Sequence, residues 1–369
     1  MKRSRSRTGP TSDLESVFPE YPNSLYVSVV HCRDAIVSFG AGYGELQLQV
    51  ERRITQYLRQ ERLFAVGGYD TYSGDYGSEQ FRLNSRACFS LEMSRFRWDK
   101  EKQCRLLEDR AEFGLVVFHG ELWAVGGHDG TCQFSLRSCE RLTARSSTWY
   151  MGPEMSEKRS FLAVAVLENE IWAIGGRDGN KVLSSCEVLT DQKDHTLTWI
   201  PGPEMSVPRV GHQAAAFKGV MWIVDGKSRS TEYLNKASNQ WVRGPNLNLG
   251  RRHFRIAACA DRLWVVGGMG IQDKLPLSST EFLDADADTW KSGPSMLVAR
   301  VGFGLAVLGE NLWAVGGGQF ELVEDSGRGQ SFIIGRNPIK SCEILHKTTW
   351  IEGPELDDKT FGLCCCVLP

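Results

Sequence analysis

The sequence predicts an all-β fold, a six-bladed propeller of four-stranded antiparallel blades. Three observations predict it. The string ELWAVGGHDG at 121–130 returns as EIWAIGGRDG at 170–179. Glycine pairs fall at Gly67-Gly68, Gly126-Gly127, Gly175-Gly176, Gly267-Gly268 and Gly316-Gly317, and a sixth copy carries Asp225-Gly226 instead. The steps between them are 59, 49, 50, 42 and 49 residues, and a period of about 40–50 residues marks propellers and arrays.

Within a copy the elements read in order. FLAVAVLENEIWAIGG is two short apolar runs around a polar turn, too short and too β-branched for helices, and so gives the first and second strands. The glycine pair closes the second strand, where a positive φ or a missing Cβ is needed against a neighbouring blade. SCERL and STEFL supply third strands, and a closing Trp marks the fourth. Four strands per unit, repeated around an axis, make a propeller blade. Trp123, Trp172, Trp222, Trp264 and Trp313 sit three residues before the pair, where the first copy has Phe64; Trp98, Trp149, Trp199, Trp241, Trp290 and Trp350 close the copies. These two sets use all 11 Trp, so no tryptophan is left for a special aromatic site.

The composite of an apolar run ending in Gly-Gly, a Glu downstream, a closing Trp, then GPEM or GPSM and an Arg, resembles the kelch repeat. It covers six copies over 62–369. Two copies depart from it: Asp225 breaks one glycine pair, while the first copy has Phe89 in the slot of the repeat Glu and lacks the Gly-Pro after its Trp. The first copy also has no first strand before RLFAVGGYD. KTFGLCCCVLP at the C-terminus matches AEFGLVVFH and VGFGLAVLG around Phe-Gly-Leu. The C-terminal strand is therefore expected to complete the first blade, as it does in the propellers this chain resembles. Residues 1–20 read as a disordered basic tail, and 21–61 as a linker or a degenerate partial copy.

The formal net charge of −2 calls for neither nucleic acid nor an acidic membrane, and no apolar run approaches the roughly 20 residues that span a bilayer. The basic start is followed by no apolar stretch of the secretory kind. The 11 Cys include no CxxC pair, which argues against a zinc site and a disulfide framework. Cys139, Cys186 and Cys342 precede the repeat Glu where Thr231 and Thr280 do so in other copies, so that slot asks for a small side chain. A reducing cytoplasm or nucleus fits this usage. No cofactor motif or metal site is expected. Glu187, Asp191 and His195 have the spacing of an iron-binding motif in nitrile-specifier kelch proteins, but Glu187 is already the repeat Glu.

Arg110, Arg159, Arg209, Arg251 and Arg300 each lie thirteen residues before the second-strand Trp, at the start of the innermost strand, with Lys359 near the sixth position. Meander parity puts them on the face of the post-glycine loops, around the channel. Two roles are open for them: structural ties from a blade to its neighbour through carbonyls or a carboxylate, or a rim that grips an acidic or carboxylate-rich peptide bidentately. Two post-glycine loops are long, 69–86 and 318–340, and belong to copies that neighbour one another in a closed ring. Tyr69, Tyr72 and Tyr76 on the first supply interface-type aromatic area; His128, Arg177 and Gln319 are further contact candidates on such loops. The expected function is protein binding through this face, of an acidic segment. The resemblance implies a ubiquitin-ligase substrate receptor in a cullin complex, or an actin-binding or other cytoskeletal adaptor. The alternative is a metal-dependent or other enzyme that uses the channel.

Overall fold

The structure, a computed structural model, describes residues 62–66, 69–72, 81–83, 88–92, 97–100, 104–129, 134–143, 148–192, 196–325, 329–356 and 363–368. The tail and linker expected over 1–61, together with Tyr76, His195 and Lys359, lie outside the described residues.

Short apolar runs separated by two-residue turns cannot continue as helices, and each of the six copies forms a four-stranded antiparallel sheet in meander order. The second blade runs Gly114–Phe118, Glu121–Val125, Cys139–Thr143 and Tyr150–Met151 from the channel outward. The third to sixth blades repeat it, with inner strands Ala163–Leu167, Gln213–Phe217, Arg255–Cys259 and Gly304–Leu308. The first blade takes its inner strand from the C-terminus: Cys364–Leu368 pairs antiparallel with Arg62–Val66, Val66 opposite Cys364. The inner strands touch their neighbours in a closed cycle, so the C-terminal strand shuts the ring.

Register corrects one detail of the sequence match. Val125 faces Gly114 as Val66 faces Cys364. Cys364, and not Gly362, therefore takes the place of Gly114. The slip is two residues, which keeps every side chain on its expected face.

The core lies between blades. Phe64, Val66 and Cys88 of the first blade pack with Leu122, Ala124 and Trp149 of the second. Val125 and Trp123 meet Ile171 and Ala173 in the same way at the next junction. Gly126 shows why the pair is glycine. Its φ is +63°, and an added Cβ would stand 2.5 Å from the carbonyl of Arg159 on the way to the next blade. That closeness lets Gly127 N–H donate to the same carbonyl at 2.8 Å. Asp225 can replace a glycine because neither it nor Gly226 has a positive φ.

The two long loops are hairpins: Tyr69–Tyr72 pairs with Phe81–Leu83, and Gly318–Asp325 with Gly329–Pro338. They touch each other, as expected for neighbouring blades.

Candidate functional site

Each linker between blades runs along the face that also carries the post-glycine loops. Ala111 bridges to His128, Ser160 to Arg177 and Val301 to Gly318, so linker and loop lie side by side. The arginines that follow from this placement do not form an exposed rim. Arg110, Arg159, Arg251 and Arg300 are 0% exposed and Arg209 is 4% exposed.

The geometry explains the burial. Arg110 donates from Nε (3.0 Å) and Nη2 (2.8 Å) to Glu140, and from Nη1 to the carbonyls of Gly126 (2.8 Å) and Ser138 (3.1 Å). Its remaining donor reaches Ser138 Oγ and Glu108. The planar fork is saturated inside the blade. Glu140 also accepts the backbone N–H groups of Leu107 (2.6 Å) and Glu108 (3.1 Å), which pins the incoming linker to the third strand. The clasp recurs with Arg159 and Glu187, Arg251 and Glu281, and Arg300 and Glu343. Arg209 pairs with Glu232 and turns its Nη1 to the Asp225 carboxylate at 3.2 Å. The expected exposed cation rim of Arg110, Arg159, Arg209, Arg251 and Arg300 is therefore corrected: each side chain is buried and paired with a carboxylate of its own blade.

The other predicted contacts fare differently. His128 is buried at 1% exposure, its ring stacked 5.6 Å from Phe161, and burial lowers its pKa. It is packing, not surface. Arg177 is half-buried, with its guanidinium 4.8 Å above the Phe161 ring. Gln319 is half-buried opposite Asn337 in its hairpin. Tyr69 and Tyr72 lie in a hairpin strand opposite Leu83 and Phe81.

What the fold does place at the channel mouth is a cavity of about 380 Å³ whose lining includes Glu112, Phe161, Lys227, Arg252, His253 and Arg255. Arg255 opens the inner strand of the fifth blade, where the other blades have Gly114, Ala163, Gln213, Gly304 and Cys364. It crosses to the first blade and donates to the Leu363 carbonyl at 3.3 Å, with a second, 3.4 Å contact to its neighbour Phe254. Both contacts are long. Among the described residues no carboxylate stands in ion-pair reach of Arg255, Arg252 or Lys227. Desolvation lowers the His253 pKa, with Glu112 opposing and Arg255 and Arg252 assisting. Desolvation pushes the Cys364 thiol up to about 11, so the sulfur at the mouth stays protonated at neutral pH. Among the described residues no group of three His, Cys, Asp or Glu is placed to hold a metal ion. No helix there is long and apolar enough to cross a membrane.

Sequence reasoning missed Arg255, Arg252 and Lys227. The signal for Arg255 was present: a long cation at a position where the aligned copies carry no charge.

The kelch motif family model matches residues 109–156 and 158–206. Each match runs from just before a clasp arginine to the following linker. No curated protein matches the chain significantly. Among solved structures, the structure of YjhT is similar with a TM-score of 0.56 at 11% identity, covering 68% of this chain and 86% of that one; at that identity the likeness speaks for the fold. Two matched kelch motifs, four further blades of the same meander order and a ring closed by the C-terminal strand support reading this chain as a kelch-repeat, six-bladed β-propeller.

Proposed function

We propose that the chain is a protein-binding propeller that takes an acidic, partly apolar segment of a partner on the face around the channel mouth. One observation carries this. Of the 11 large hydrophobic residues exposed among the described residues, eight lie in the linkers and post-glycine loops of that one face. Val207, Val210, Leu249 and Leu297 are on linkers; Phe134, at 60% exposure, and Leu275 are on loops. Val210 lines a cavity on the same face, whose Arg252, Arg255 and Lys227 have no carboxylate in ion-pair reach among the described residues. Exposed apolar side chains on the face that also carries these three cations suit an acidic amphipathic segment, although Glu112 and Asp225 also line the cavity.

The test uses a labelled peptide alternating Glu and Leu, titrated against the full chain. Binding that weakens at least tenfold in Arg252→Ala/Arg255→Ala, with an unchanged melting midpoint, is the expected result. A wild-type chain that ignores the peptide, or a double variant that binds as well, would overturn the proposal. The resemblance to kelch-like propellers favours two settings for such a face, a substrate receptor for a cullin-based ubiquitin ligase or a cytoskeletal adaptor. Co-purification with a cullin scaffold supports the first, and co-sedimentation with filamentous actin the second.

A further inference from the structure

The first blade departs from the other five in three linked ways. Phe89, fully buried, faces Ala65 where Glu140 faces Ala124 in the second blade. Counting four residues back from Cys364 gives Thr360, where the other copies have the clasp arginine. So both members of the ion-pair clasp are replaced together. The third departure is Cys104, which takes the place of the linker proline, Pro153, Pro203, Pro245, Pro294 or Pro354, in the other copies.

That substitution sets two thiols against each other. Cys88 Sγ and Cys104 Sγ are 3.3 Å apart across 16 residues of chain, and the two residues are 1% and 3% exposed. The contact has a counterpart in other blades. Thr231 Oγ1 donates to the Pro245 carbonyl at 2.7 Å and Thr280 Oγ1 to the Pro294 carbonyl at 2.9 Å. In the fourth and fifth blades the small side chain that opens the third strand therefore reaches the outgoing linker, whereas Cys139 and Cys186 turn their thiols to the carbonyl two residues back. In the first blade alone both sides of that contact are cysteine. The neighbouring Trp149 has also lost its usual bond: Trp199, Trp241, Trp290 and Trp350 each donate to a linker proline carbonyl at 3.0 Å. Trp149 Nε1 is buried without a partner.

We propose that Cys88 and Cys104 are a disulfide-forming site that locks the ring-closing blade to its outgoing linker. The oxidant is a small-molecule disulfide. Cys104 thiolate attacks it, forming a mixed disulfide and releasing one thiolate. Cys88 thiolate then attacks the Cys104 sulfur and releases the second. One S–S bond is made in the protein, one is broken in the reagent, and the two protein protons leave with the two reagent thiols. Burial makes the exchange wait on opening of the linker, so it is slow in the folded chain. The site goes beyond the binding role and is independent of it.

The experiment incubates the full chain with oxidised glutathione, blocks remaining thiols and maps the digest under non-reducing conditions. A peptide pair joined through Cys88 and Cys104 is expected, with a melting midpoint raised by about 5 °C that reductant reverses. Cys88→Thr, which copies the fourth and fifth blades, should fold, give no joined pair and show no shift. Cys104→Pro, which restores the repeat, should do the same. Cys88 and Cys104 both recovered as blocked thiols, or joined to Cys364, Cys365 or Cys366 instead, would overturn the proposal.

Discussion

The clasps and the channel mouth are built from the same linkers, four residues apart, and they differ in one respect. Arg110, Arg159, Arg209, Arg251 and Arg300 are the same residue five times, each buried on a carboxylate. Four positions on stand Gly114, Ala163, Gln213, Arg255 and Gly304, of which only the two glycines agree. A position that must pack against the same neighbours in every blade keeps one side chain. The channel-mouth position changes from blade to blade: Gly114, Ala163 and Gly304 are buried there against the next inner strand, while Gln213 and Arg255 are only half-buried, and there the side chain's chemistry is free to serve a ligand. Repetition inside a chain thus sorts structure from recognition.

The largest effect expected from breaking this contrast is on the clasp side. Arg159→Ala leaves Glu187 buried and uncompensated, and should lower stability by about 3–5 kcal/mol in chemical denaturation. Removing both partners at once, as Arg159→Met with Glu187→Leu, should cost less than the sum of the single changes, because no charge is then stranded.

Next in size is the pH response of the fourth blade. His212 fills the buried slot that holds Phe113, Leu162, Phe254, Phe303 and Leu363 in the other blades. Both ring nitrogens are without hydrogen-bond partners. Burial, with Arg209 assisting, lowers its pKa to about 4. The folded pKa lies below the unfolded value of about 6.5, so the unfolded chain binds the proton first. Stability is whole above about pH 6.5 and falls as the pH drops toward 4, by about 3 kcal/mol from this group. His212→Phe should remove that part of the acid loss and gain about 1–3 kcal/mol at neutral pH, as read from denaturation midpoints between pH 4 and 8.

A smaller change sharpens the comparison within the clasps. Glu108 and Glu157, two residues before their arginines, give the second and third clasps a second carboxylate. Val207 stands at that place in the fourth blade, and Asp225 supplies the carboxylate from the other side. Asp225→Gly, which restores the repeat on paper, should therefore destabilise by about 1–2 kcal/mol. Adding Val207→Glu to it should recover most of the loss. Both are readable in urea midpoints.

Much of this was legible in the sequence because the glycine pairs, tryptophans and arginines keep fixed offsets, and packing between like blades demands that. The ring closure was legible for the same reason, since RLFAVGGYD lacked an inner strand and the C-terminus offered one. The direction of the arginines was not. Their carboxylate partner lies 30 residues on from Arg110, 23 from Arg209 and 43 from Arg300, because the intervening post-glycine loop varies in length. Contact in space was constant while spacing in sequence was not. Strand parity assigns a residue to one end of a blade; it does not say whether a long side chain there turns toward the channel or into the sheet. Arg255 was overlooked for the opposite reason: it has no counterpart in other copies, so a search for recurring residues passed over it.

The central claim, that repeated arginines hold the fold and the unrepeated one serves the ligand, is tested by running Arg159→Ala and Arg255→Ala side by side. Urea denaturation and titration with the Glu-Leu peptide are read on each. The expected result is a large stability loss in the first, and in the second a stability within about 0.5 kcal/mol of wild type with binding at least tenfold weaker. An Arg255→Ala chain that binds the peptide like wild type, or unfolds as early as Arg159→Ala, would contradict it.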